Sequence, residues 1–137
     1  MSDELKKYLF EFEKEGGNLI QIGKILIETF GMTEFNLFCV AILNQTINLN
    51  RGFISLINEN NYVAAAPLVR MNLDSLLRLF ASSVSEFDYE SFTKQVRKGK
   101  KIGEMLDSKR QTKLRYSVLV KSVGVNVTSQ VYSPSNF

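Results

Sequence analysis

Apolar residues recur at helical spacing along most of the chain, and the first such run lies near its amino terminus. This run has apolar residues at i, i+3, i+4 and i+7, the period of an amphipathic helix: Leu5, Tyr8, Leu9 and Phe12. Gly16 and Gly17 predict the end of this helix, because glycine is a poor helix former. Asn18 and Gln21 then predict a capping box at the start of a second helix, which Gly31 is expected to end.

A third and longer helix is predicted after Thr33, and its end is predicted in the polar turn at 59–61. Its apolar residues repeat every seven positions, at Phe35, Ile42, Leu49 and Leu56. A repeat of this kind is typical of helices that pack lengthwise against one another. The pattern therefore favours a helical bundle.

A fourth apolar helix is predicted within residues 61–83, and Pro67 requires that it either begin near residues 65–66 or be kinked. It carries three charged residues at four-residue spacing: Arg70, Asp74 and Arg78. Residues four apart share a helix face, so the carboxylate can bridge both guanidinium groups. One interpretation is a buried salt-bridge network that fixes the register of the helix. The other is that Arg70 contacts an anionic ligand or an RNA phosphate.

The remaining sequence predicts two more helices and a tail. A fifth helix is expected from Asp88 to Leu106 and a sixth from Ser108 to Gly124. The inner stripe of the fifth helix would be Phe92, Val96, Gly99, Gly103 and Leu106. The predicted fold is all-α: a five- or six-helix up-and-down bundle in a single domain, residues 1–124. Residues 125–137 lack a helical period and are expected to form an extended or disordered C-terminal tail.

The charge of the chain is divided unequally along its length. Residues 1–90 hold seven Lys or Arg and twelve Asp or Glu, whereas residues 91–137 hold ten basic and two acidic residues. The basic residues gather at Lys94, Arg97, Lys98, Lys100, Lys101, Lys109, Arg110, Lys113 and Arg115. On the predicted fifth helix, Lys94, Lys98 and Lys101 would share one outer face. Such a surface favours RNA or another polyanion. The alternative is a solvated face that neutralises the acidic part of the chain.

The composition excludes several kinds of chemistry. The chain has no histidine, so a histidine base, dyad or metal ligand cannot exist in it. Its one cysteine, Cys39, excludes an internal disulfide and lies among apolar residues, as a buried and unreactive thiol would. The glycines match neither a phosphate-binding loop nor a dinucleotide fingerprint. We therefore expect no metal, no cofactor and no recognisable catalytic site.

The amino-terminal residues and the apolar runs bear on location. Met1 is followed by polar and acidic residues rather than by a basic stretch and an apolar core, so no signal peptide is predicted. No apolar run approaches the roughly 18 residues of a membrane span. With a single cysteine, these features predict a cytoplasmic protein without a membrane segment.

Segments of the second half of the chain resemble a known family. Residues 65–81, AAPLVRMNLDSLLRLFA, resemble a helix of bacterial HEPN-like proteins in the order of a small residue, Leu, Arg, an acid and a second Arg. VRKGKKIGEMLD at 96–107 and VYSPSNF at 131–137 resemble the passage of those proteins into their last helix. The resemblance implies an α-helical bundle that dimerises and, in many members, a metal-independent RNase of toxin–antitoxin or phage-defence systems.

The Arg and His motif that marks those RNases is absent, because the chain has no histidine. Two explanations follow: the chain stops before a C-terminal catalytic segment, or it is a member of the family without the motif. In either case the resemblance implies no RNase chemistry in the chain as it stands.

Three hypotheses of function result. The first is a non-catalytic binding protein that contacts RNA, another polyanion or a protein partner. The second is the truncated core of a HEPN-like RNase, and the third is a structural dimerisation module without a ligand. A homodimer is expected through the third or fourth predicted helix, because their apolar faces exceed what one small bundle covers.

Overall fold

The computed structural model describes residues 2–123, which form five α-helices and contain no β-strand. The helices are α1 (Asp3–Phe30), α2 (Glu34–Asn58), α3 (Tyr62–Val84), α4 (Tyr89–Arg97) and α5 (Tyr116–Val123). A single 3-10 turn, Ile102–Glu104, lies between α4 and α5. The all-α prediction is confirmed, and the predicted tail at 125–137 lies outside the described residues.

The chain divides into two compact units, and the boundary falls between Asn72 and Leu73, inside α3. The first unit contains α1, α2 and the amino-terminal part of α3. The second unit contains the remainder of α3, α4, the 3-10 turn and α5. The single domain predicted over residues 1–124 stays a prediction.

Helix α1 runs without interruption through Gly16 and Gly17, so the prediction of two helices separated at these glycines is wrong. Asn18 does not cap a helix: its Nδ2 donates to Oε2 of Glu15 at 3.1 Å, inside α1. Each interior glycine costs a helix about 1 kcal/mol relative to alanine, a cost that packing against a neighbouring helix can offset. Gly31 does end the helix as predicted, with a φ of 80° and a hydrogen bond from its N–H to the Ile27 carbonyl.

Helix α2 begins and ends where the sequence predicts. The Oγ1 of Thr33 accepts a hydrogen bond from the Asn36 N–H at 3.1 Å and caps the first turn. At the other end, Asn60 adopts a left-handed conformation with a φ of 58°. The Asn60 and Asn61 N–H groups donate to the carbonyls of Ile57 and Leu56, which is the Schellman arrangement.

Helices α1 and α2 pack against each other as an antiparallel pair joined by only three residues. The rings of Phe12 and Phe53 lie 5.8 Å apart at one end of the pair. Farther along, a Cβ on Gly23 would lie 3.6 Å from Cδ1 of Leu43. Both contacts join residues whose numbers sum to about 66, as one unbroken antiparallel register requires.

Helix α3 begins at Tyr62, where Oδ1 of Asn61 accepts a hydrogen bond from the Ala64 N–H at 3.2 Å. Pro67 lies inside the helix rather than at its start. Ala65 is buried in one cluster with Leu9 of α1 and Ile57 of α2, which fixes the beginning of α3 against the helix pair.

Helix α4 ends at Arg97, so the helix predicted from Asp88 to Leu106 is nine residues too long at its carboxyl end. Gly99 has a φ of 89°, a left-handed conformation that glycine adopts without steric cost. Its N–H donates to the Val96 carbonyl, and the Lys100 N–H donates to the Gln95 carbonyl. This Schellman arrangement reverses the chain, so Gly99, Gly103 and Leu106 do not continue the inner stripe.

The helix predicted from Ser108 begins only at Tyr116. Oδ1 of Asp107 accepts hydrogen bonds from the N–H groups of Gln111 and Thr112 at 2.9 and 3.3 Å. These bonds hold residues 107–113 in a turn and offer the backbone an alternative to the helix. Among the described residues of the second unit, the largest fully buried side chains are Leu77, Phe92, Met105, Leu114 and Leu119.

Candidate nucleic-acid interface

The basic residues of the second unit lie almost entirely on its surface. Of the nine identified from the sequence, only Lys100 is half-buried. The exposed ones are Lys94, Arg97, Lys98, Lys101, Lys109, Arg110, Lys113 and Arg115. They fall into two segments, residues 94–101 around the end of α4 and residues 109–115 before α5.

Backbone hydrogen bonds join residues 84–87 to residues 105–108, and join these in turn to the basic segment 109–115. The Glu86 N–H donates to the Leu106 carbonyl at 2.9 Å, and the Leu114 N–H donates to the Met105 carbonyl at 2.8 Å. Isolated antiparallel bridges pair Ser85 with Asp107 and Leu106 with Lys113. The chain before α4 therefore lies beside the chain before α5, although about 20 residues separate them in sequence.

Glu86 and Phe87 each contact one basic residue, and the two residues come from different segments. Oε2 of Glu86 lies 3.3 Å from Nε of Arg110, and the Lys100 Nζ lies 5.1 Å from the centre of the Phe87 ring. Exposed ion pairs and cation–π contacts of this kind are worth at most about 1 kcal/mol each. Their significance is positional, because they bring the segments 94–101 and 109–115 to the same pair of residues.

The structure corrects the prediction that Lys94, Lys98 and Lys101 share one helix face. Lys94 lies in the last turn of α4, Lys98 follows its end, and Lys101 precedes the 3-10 turn. The reversal at Gly99 separates Lys101 from the helix. Lys94 and Arg97 also lie at the negative end of the helix dipole, which stabilises basic residues there whether or not they bind a ligand.

Asp88 provides the acidic counterpart at the other end of α4. Its Oδ1 accepts a hydrogen bond from the Ser91 N–H at 2.7 Å and so caps the helix. The backbone hydrogen bond with Ser91 is the largest cause of a lowered pKa for Asp88, and Lys94 contributes to the same shift. The carboxylate is therefore charged under all ordinary conditions.

The polar stripe of α3 is only partly buried. Arg70 and Asp74 are half-buried and Arg78 is exposed. The interpretation of a fully buried network therefore does not extend to Arg78. The half-buried positions of Arg70 and Asp74 are compatible with both interpretations: a structural ion pair, and contact of Arg70 with an anion.

Other chemical groups are sparse in the described part of the chain. Cys39 is half-buried, and burial raises the pKa of its thiol, so the reactive thiolate is disfavoured. Residues 2–123 contain no group of three acidic or cysteine side chains placed to hold a metal ion. None of the helices in that range has the length and apolar character required to cross a membrane.

An apolar groove lies between α1 and α2 in the first unit, and sequence reasoning missed it. It consists of two hollows of about 340 and 350 Å³. Ile20 and Ile47 line both hollows. The signal in the sequence was the composition of α2, whose 25 residues include only two charged ones, Glu34 and Arg51.

Sequence reasoning also missed Glu86 and Phe87, whose role depends on contacts between distant segments. Comparison of the chain with protein-family models, with curated proteins and with solved structures finds no match. The HEPN-like resemblance therefore stays a prediction, and any function must be argued from the residues themselves.

Proposed function

We propose that the protein binds RNA through the basic segments 94–101 and 109–115 of its second unit. The observation that carries the proposal is a set of exposed basic side chains that form no ion pair within residues 2–123: Lys94, Lys98, Lys101, Lys109, Lys113 and Arg115. Basic residues that neutralised acidic parts of the same unit would be paired with them. Charges that remain unpaired at the surface are available to phosphate groups.

The expected binding is electrostatic and independent of base sequence. Each phosphate that a Lys or Arg neutralises releases a condensed counterion, and the affinity then falls steeply as salt is added. Glu86 and Phe87 support this mode, because their contacts with Arg110 and Lys100 place the two segments beside each other. A strand of RNA could then cross both segments.

The test is a titration of the protein into a fluorescent single-stranded RNA of about 20 nucleotides, followed by anisotropy. In the double variant Lys98→Glu and Lys101→Glu, we expect an affinity at least about tenfold lower and a salt slope smaller by about 1.4, since two phosphate contacts are lost. The matched control is Lys6→Glu with Lys7→Glu. It makes the same change of net charge on exposed residues of α1.

Equal losses in the two double variants would show that only net charge matters, and would overturn the assignment of the surface. Absence of binding at low salt, or an affinity that salt does not change, would overturn RNA binding altogether. Cleavage of the RNA would support the alternative of a HEPN-like RNase.

The second part of the proposal is that the chain acts as a homodimer, in the cytoplasm. Support comes from large apolar side chains of α1 that remain exposed, including Phe10, Phe12 and Ile20, each at least 40% accessible. A soluble monomer rarely leaves so many large apolar side chains uncovered on one helix. A single cysteine suits a reducing compartment.

A further inference from the structure

We infer that the groove between α1 and α2 is the dimer interface, occupied by the same groove of a second copy and fixed by reciprocal pairs of Glu13 with Arg51. This inference rests on the proposed homodimer and names the surface that forms it. It differs from the surface predicted from the sequence, because α1, and not only α2 or α3, supplies half of the contact.

The groove has the dimensions of a helix-packing surface. It extends along α1 from Phe12 to Glu28, about 24 Å at 1.5 Å per residue. Its walls are largely apolar, with Ile20, Ile27 and Leu43 among the lining side chains. Ile20 is still 41% exposed. A length of four to five helical turns fits the paired helices of a bundle better than it fits a small ligand.

Gly16 and Gly17 leave the groove free of side chains at two positions, although glycine destabilises the interior of a helix. A Cβ built on either glycine would meet nothing within 4 Å, so packing of α1 against the rest of residues 2–123 does not require them. Both line the first hollow of the groove. Two interior glycines weaken an isolated helix by about 2 kcal/mol in all. A helix of another copy that approaches their backbone closely would offset this loss of stability.

The charges at the rim identify the partner as a second copy. Glu13 on α1 and Arg51 on α2 line the same hollow from opposite helices, and both are exposed. Neither forms an ion pair within residues 2–123. Arg51 is also the only basic residue of α2. The rim of the first hollow therefore presents one acid and one base, and Lys24 and Glu28 add one of each at the second hollow. This balance of charges is the pattern of a self-complementary surface.

A two-fold axis along the helix pair satisfies both charges at once. A rotation about such an axis does not change the position of a residue along the helices, and it places α1 of one copy against α2 of the other. In the register of the α1–α2 pair, Glu13 is level with Phe53, half a turn from Arg51. Glu13 then faces Arg51 of the second copy, and the reverse pair forms by symmetry. The result is a four-helix arrangement in which neighbouring helices are antiparallel.

The experiment measures the dimer dissociation constant of the full chain by sedimentation equilibrium. We expect Glu13→Arg and Arg51→Glu each to weaken the dimer by about tenfold or more, since like charges then oppose each other. The double variant Glu13→Arg with Arg51→Glu should return to within about threefold of the wild type. The control is Glu11→Arg, which makes the same charge change on an exposed residue of α1 outside the groove. Far-ultraviolet circular dichroism of each variant verifies that the helices are intact.

Rescue by the double variant supports the inference, because a direct pairing of the two side chains predicts it. A stable dimer that neither single change weakens would overturn this interface and leave the homodimer in place. A monomer of 15.6 kDa at high protein concentration would overturn both. A substitution of Gly17→Leu gives an independent check, since it should abolish the dimer and leave the monomer folded.

Discussion

Asn72 of α3 donates a hydrogen bond from its Nδ2 to Oδ1 of Asn50 on α2, at 2.7 Å. Asn50 is only 8% exposed, and Oδ1 of Asn72 is buried with no hydrogen-bond partner within residues 2–123. The pair therefore joins two helices of the first unit through one satisfied and one unsatisfied carbonyl. Removing one asparagine of the pair and removing both should therefore change the stability by different amounts.

We expect Asn72→Ala to destabilise the protein by about 1–3 kcal/mol, because the buried Oδ1 of Asn50 loses its donor. Replacing both residues by leucine should cost less than this single change, since no buried polar atom is then left unpaired. Urea unfolding measures the free energies of unfolding of the wild type, the single variant and the double variant. The control is Asn48→Ala, an exposed amide on α2, the helix of Asn50, and it should lie within about 0.5 kcal/mol of wild type. Equal losses at Asn48 and Asn72 would contradict the role of the pair.

Asp74→Ala tests the polar stripe of α3. Asp74 is half-buried, so we expect a loss of about 1–2 kcal/mol, between the values for exposed and buried ion pairs. Arg78→Ala should cost less than about 0.5 kcal/mol, because Arg78 is exposed. Thermal unfolding of the two variants makes the comparison. A larger loss of stability in Arg78→Ala than in Asp74→Ala would contradict the assignment of Asp74 to the more buried side of α3.

The pKa of Asp88 predicts a pH dependence of stability at acid pH. The folded state lowers this pKa from its ordinary value of 3.8, so the unfolded chain takes up the proton more readily. The stabilisation is fully present above the ordinary value and is lost as the pH falls through the folded value. In Asp88→Ser the neutral hydroxyl still caps α4. The difference in unfolding free energy between wild type and variant should be constant above about pH 5 and shrink below it. A difference that stays constant down to about pH 2 would contradict this assignment.

Much of the first unit could be predicted from the sequence. Thr33, Gly31 and the turn at 59–61 give α2 its bounds, because caps and left-handed residues depend on local chemistry. The uninterrupted α1 could not be predicted from its two glycines. Their unfavourable propensity is about 1 kcal/mol each, which contacts with another helix can exceed, and those contacts are not written in any local pattern.

The second unit was less predictable for a related reason. The apolar spacing of Phe92 and Val96 continues to Gly99 and Gly103 as if one helix were present, but Gly99 adopts a left-handed conformation that ends α4. Glycine after a basic last turn is itself a known end signal. The position of Glu86 beside Arg110 could not be read from sequence, because long-range backbone hydrogen bonds create it.

Of the two candidate sites, one could be predicted from the sequence and the other could not. The basic residues could be found by counting charge, and the structure changes only their arrangement. The proposed pairing of Glu13 with Arg51 of a second copy required the antiparallel register of α1 and α2, which determines the residues that lie side by side along the two helices. No local pattern contains that register.

The Schellman turn at Gly99 and the loop closed by Asp107 have a consequence for how this surface can vary. Both turns are held by backbone hydrogen bonds and by one carboxylate, while Lys98, Lys101, Lys109 and Lys113 are exposed on them. A library that randomises these four lysines and retains Gly99 and Asp107 should consequently yield mostly folded proteins. Specificity for a chosen anionic ligand could then be selected on this scaffold without a compensating change in its core.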